Sequence, residues 1–75
     1  MSETIVDARG HRCPVPTLRL ARALERAAPG GLVRLLADDP LARIDVPHFA
    51  AGQGCEVISC NQDGPVLAFV VRKGS

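Results

Sequence analysis

Apolar residues along this chain gather in short runs, separated by proline, glycine and paired polar residues. Thr4 to Asp7 reads as a short strand, with Gly10 supplying the turn after it. Pro14 to about Ala28 reads as a helix, stopped by Pro29-Gly30-Gly31. Within it Leu20, Ala21, Leu24 and Ala28 form one stripe suited to packing on a sheet, and Arg19, Arg22 and Arg26 fall on the opposite side. Leu32 to Ala37 is apolar on both faces, as a central strand would be. Asp39-Pro40 opens a second helix, with Asp39 as N-cap and Pro40 at the first helical position. That helix runs from Leu41 into Ala51 and ends at Gly52 and Gly54, and Pro47 is expected to kink it or to split off its first turn. Glu56 to Cys60 and Val66 to Arg72 are strands paired as a hairpin around a turn at Asn61 to Pro65.

The order βαβαββ predicts an α+β two-layer sandwich, in which both helices pack on one face of a four-stranded mixed sheet. Seventy-five residues allow one domain, spanning 1–75, and 47% hydrophobic residues suffice for one core. Repeats, linkers and low-complexity segments are absent from the sequence.

Composition narrows the function. Three cysteines, an odd number, suggest no disulfide framework. The N-terminus has no basic and apolar leader, and no apolar stretch approaches the length of a membrane span. The expectation is a cytoplasmic protein with reduced thiols and no membrane association. A formal charge of +1 gives no global attraction to anionic partners, so electrostatic docking must be local. The only aromatic residues, Phe49 and Phe69, provide no base-stacking platform, so direct nucleic-acid binding is not expected.

The chemistry centres on Cys13-Pro14-Val15-Pro16, where a strand hands over to a helix. Proline is tolerated in a first helical turn, and a cysteine just before that turn meets the positive end of the helix dipole, which favours thiolate. Arg12, and His11 if it reaches, add positive charge beside the sulfur, while Pro14 and Pro16 stiffen the turn. Cys13 is therefore the candidate nucleophile, able to form an acyl thioester, a disulfide or a persulfide. A Cys/His hydrolase would need a third group to hold His11, and Pro16 stands where a thioredoxin-type site has its resolving cysteine. No metal-ligand spacing links Cys13, Cys55, Cys60, His11 and His48.

The other marked residues have plainer readings. Cys55 and Cys60 read as packing residues on opposite faces of the sheet, Cys55 the nearer to solvent, and roughly 17 Å of extended chain keeps them from pairing. Asp38 and Asp39 suit a helix start, Asp45 can face solvent, and His48 reads as a surface residue. Arg72-Lys73-Gly74-Ser75 is a solvated basic end or a contribution to docking. Arg19, Arg22 and Arg26 form either a solvated face or a docking surface for an acidic partner.

Four segments together resemble the TusA family of small sulfur carriers, also described as SirA-like. They are Asp7-Ala8-Arg9-Gly10-His11-Arg12-Cys13-Pro14-Val15-Pro16, Ala37-Asp38-Asp39-Pro40, Asp45-Val46-Pro47-His48-Phe49 and Val71-Arg72-Lys73-Gly74. The resemblance implies a sulfurtransferase with one catalytic cysteine, Cys13, that accepts sulfane sulfur as a persulfide from a cysteine desulfurase or a rhodanese. It implies transfer to a downstream acceptor such as a DsrE-like relay protein, with no metal or organic cofactor; the chain is expected to act as a monomer. The best-known branch delivers sulfur to 2-thiouridine in tRNA, and other branches serve molybdenum-cofactor synthesis or sulfur oxidation. On this reading the helix amides and Arg12 would stabilise the persulfide anion. His11 stands where the family commonly has leucine, and Ala50 where some members carry a second cysteine. Two other classes fit the same residues: a non-catalytic interaction module docking through its basic helix face, and a redox-sensing thiol.

Overall fold

The alternation of strand and helix patterns is realised as β1 (Glu3–Asp7), α1 (Val15–Arg26), β2 (Leu32–Ala37), α2 (Ala42–Gly52), β3 (Glu56–Asp63) and β4 (Val66–Arg72). These elements come from a computed structural model, which describes residues 3–12 and 14–74. The strands form one sheet in the order β1-β2-β4-β3. β1 runs parallel to β2, and β4 lies antiparallel between β2 and β3, so the sheet is mixed as expected.

Register explains the core. Leu35 faces Phe69, Val33 faces Val71 and Ala37 faces Leu67, and all six side chains are buried on the helix side of the sheet. From above, Leu20 and Leu24 of α1 and Val46 and Ala50 of α2 close the same cluster. Pro16 is fully buried beneath the start of α1, and Ala23 and Ala27 pack against the core. The buried face of α1 is therefore Pro16, Leu20, Ala23, Leu24 and Ala27; Ala28 is exposed, one residue beyond the helix's C-cap.

Pro47 does not divide α2, which runs unbroken through it. Ala42, Arg43 and Ile44 donate to the carbonyls of Asp39, Pro40 and Leu41 at 2.9, 3.2 and 3.0 Å, a tight i→i−3 winding that gives way to α spacing at Asp45. The N-cap is Leu41 rather than Asp39, and Asp39 Oδ1 accepts the Leu41 N–H at 3.1 Å in the turn that precedes the helix.

The hairpin differs from its sequence reading. Asn61, Gln62 and Asp63 belong to β3 and pair with Ala68, Leu67 and Val66, so the connection shrinks to Gly64-Pro65, with Gly64 at φ +59°. Polar residues can occupy a strand here because β3 is an edge. A bulge between Val57 and Ser59 also shifts the register of that strand.

The shift relocates the two structural cysteines. Cys60 faces Phe69, on the helix side, but sits exposed at the sheet edge. Cys55 is half-buried against the core. They do not take opposite faces, and Cys60 rather than Cys55 meets solvent.

The basic end is likewise built into the fold. Lys73 exchanges backbone bonds with Gly30 and Gly31, each at 2.9 Å, and its Nζ donates to the carbonyls of Ala27 at 2.9 Å and Glu25 at 3.4 Å, closing α1 at its negative end. Arg72 pairs with Glu56 across the hairpin. Gly74 lies so near Gly54 that a Cβ would stand 2.1 Å from its carbonyl oxygen. Ser75 lies outside the described residues.

Candidate functional site

The C-terminal ends of the parallel strands β1 and β2 and the first turns of α1 and α2 meet at one end of the sandwich. Ala8, fully buried and one residue past β1, donates to Leu36 O at 2.8 Å. The chain then turns. Asp7 accepts from the Arg9 side chain at 2.9 and 2.8 Å and from the Arg9 amide at 3.1 Å, a closed local ring. The hydrogen bonds from the Arg9 guanidinium, then from its N–H, hold the Asp7 carboxyl down at about 2.

Gly10 takes φ +86°, a conformation glycine adopts without strain, and so turns its N–H toward the Asp38 carboxylate at 3.0 and 3.1 Å. Asp38 thus serves the opposite loop rather than its own helix. This bond ties the β1–α1 turn to the β2–α2 turn. His11 N–H donates to Ala8 O at 3.3 Å, and both His11 and Arg12 are exposed.

Cys13, the candidate nucleophile, lies outside the described residues, and with it any contact to His11. Its flanking residues are described. Arg12 O accepts the Val15 N–H at 2.9 Å, and Pro14 O accepts the Leu18 N–H at 3.0 Å, the first bond of α1. Pro14 is exposed at the N-cap and Pro16 is buried in the first turn. The Val15 amide is thus committed to Arg12, and neither proline carries an N–H, which leaves fewer first-turn donors than a helix start normally offers. The Thr17 hydroxyl oxygen is buried there, with no hydrogen-bond partner among the described residues.

Sequence reading missed the apolar rim of this end. Leu18 on α1 is 62% exposed, and Leu41 and Ile44 at the start of α2 are 56% and 68% exposed. Each lies off the buried stripe of its helix, a signal the sequence does carry.

The arginine stripe is displaced from its expected place. Arg19, Arg22 and Arg26 are exposed, yet they border β1 rather than pointing straight away from the sheet. Arg19 Nη1 donates to Asp7 O at 2.8 Å, and the three arginines line a groove with Thr4, Val6, Leu18 and Ala23. His48 is exposed, Asp45 is half-buried, and none of the described helices is long and apolar enough to cross a membrane.

Comparison with known proteins agrees with this architecture. A family profile described as Sulfurtransferase TusA matches residues 4–73. The sulfur carrier protein TusA of Pseudomonas paraeruginosa is 34% identical over 71 residues, 95% of this chain and 90% of that protein. The sulfur carrier protein TusA of Pseudomonas putida is 34% identical over 71 residues, 95% of this chain and 89% of the relative. A SirA-like protein from Desulfitobacterium hafniense, known from its crystal structure, superposes with a TM-score of 0.83 at 28% identity, covering 96% of this chain and 99% of that one. Matched from Thr4 to Lys73 and sharing about a third of its residues with these carriers, the chain belongs to the TusA family of sulfurtransferases.

Proposed function

We propose that the chain carries sulfane sulfur as a persulfide on Cys13. The observation that supports this most is the family match over residues 4–73, which spans the Cys-Pro-x-Pro segment. The cation Arg12 and the helix entrance at Pro14 lie beside that cysteine in sequence.

The transfer needs two exchange steps. The Cys13 thiolate attacks the outer sulfur of a persulfide on a cysteine desulfurase or a rhodanese; the S–S bond of the donor breaks, and the donor leaves as a thiolate. The new Cys13 persulfide is then attacked at its outer sulfur by a thiolate of a DsrE-like acceptor, which takes that sulfur and restores the Cys13 thiolate. No net oxidation occurs in either step. Thiolation of tRNA at 2-thiouridine is the end use we favour, ahead of molybdenum-cofactor synthesis or sulfur oxidation. The carrier acts in the cytoplasm.

Intact-protein mass spectrometry after incubation with a cysteine desulfurase, its pyridoxal cofactor and cysteine tests the reading. The expected result is a gain of one sulfur atom, removed by reductant and absent in Cys13→Ser, with Cys55→Ser loading as the wild type does. Wild-type loading of Cys13→Ser would refute the site, and no loading by a cognate desulfurase or rhodanese would favour the interaction module instead.

A further inference from the structure

We propose that the free edge of β1 and the arginine face of α1 together dock an extended acidic segment of a partner protein, which joins the sheet beyond β1. The proposal rests on the partner-docking half of the relay above, but not on the thiol.

β1 is an edge strand, bonded only to β2. The Ala8 N–H donates to Leu36, and in a parallel ladder alternate residues turn their backbone groups the same way. Thr4 and Val6 therefore face β2, while Ile5 and Asp7 present N–H and C=O outward. Arg19 covers the Asp7 carbonyl, leaving the Asp7 N–H and both Ile5 groups available to a new strand. The other edge, β3, carries a bulge that spoils strand addition, but the register of β1 is regular and it contains no proline.

Charge selects the occupant. Above this edge runs a groove of about 590 Å³ lined by Thr4, Val6, Arg19, Arg22 and Arg26. Arg22 and Arg26 have no ion pair among the described residues. The carboxylates on β1 are already neutralised, Glu3 by Arg34 and Asp7 by Arg9. Arg22 and Arg26 lie about 6 Å apart along the helix, close to the roughly 6.7 Å between alternate residues of a strand. An added strand thus sets a carboxylate under each arginine from every second residue. Its other residues lie on the open face beside Ile5, which is 62% exposed, and are apolar. The segment is one of alternating acidic and apolar residues, held by main-chain bonds and sorted by charge.

The test is titration of the full chain with a synthetic peptide of alternating glutamate and valine, against a scrambled peptide of the same composition, followed by amide NMR and hydrogen exchange. The alternating peptide is expected to bind roughly tenfold more tightly than the scrambled one and to slow exchange at the Ile5 and Asp7 amides. Arg22→Glu with Arg26→Glu should weaken it by roughly tenfold or more. Ile5→Pro, which removes one outward donor and leaves the β2 ladder intact, should do likewise while amide shifts elsewhere confirm the fold. Equal binding of both peptides, binding unaffected by Ile5→Pro, or no binding would overturn the proposal. So would concentration-dependent protection of the same amides without peptide, because a second copy would then own the edge. Sulfur loading measured in parallel separates this site from the thiol, since Cys13→Ser should bind the peptide unchanged.

Discussion

Asp7 and Arg9 show how much one local pair can set. Folding lowers the Asp7 carboxyl from its ordinary 3.8 to about 2, so the native state holds fewer protons there than the unfolded chain. The stabilisation is present in full above the ordinary value and is lost as pH falls toward the native one. Asp7→Asn should therefore flatten the decline in stability between about pH 4 and pH 2, measured as urea midpoints across that range, and leave the neutral-pH slope alone. The pair was not read from the sequence, although only two positions separate its members. The cysteines carry the opposite lesson. Counting residues along a strand assigns faces only while the ladder is regular, and the bulge after Val57 moves Cys60 to the side of Phe69.

At the level of elements, proline has a different role at each of its places in the helices. Pro14 is exposed and Pro16 buried beneath α1, so the two are not equivalent stiffeners of one turn. Pro16→Ala should cost about 2 kcal/mol in urea unfolding through the cavity it leaves, and Pro14→Ala only about 0.5 kcal/mol through greater freedom of the unfolded chain. Pro47 is expected to kink α2 or to split off its first turn, and the helix is continuous through it. β2 was legible residue for residue, because its apolar run is bounded by glycine on one side and aspartate on the other. The polar tail of β3 was not, because on an edge strand polar composition no longer separates strand from turn.

For the whole molecule, the layers and element order followed from local pattern and connection rules, but the ties that close the fold did not. Asp38 to Gly10 spans 28 positions and Lys73 to Ala27 spans 46, and neither leaves a periodic trace in the chain. The position proposed to bear sulfur was legible for the reverse reason: its signal is four consecutive residues. The topology has one further consequence, for the order of synthesis. β4 follows every other element in the chain, yet it lies inside the sheet, between β2 and β3. On the ribosome, β2 lacks one of its two neighbours and β3 its only one until β4 emerges. A chain cut before Val66 should show no cooperative thermal transition, although both helices and three of four strands are encoded in it. Docking of β2 and β3 into the sheet thus waits for β4, and until then the nascent chain carries unpaired strands open to non-native pairing.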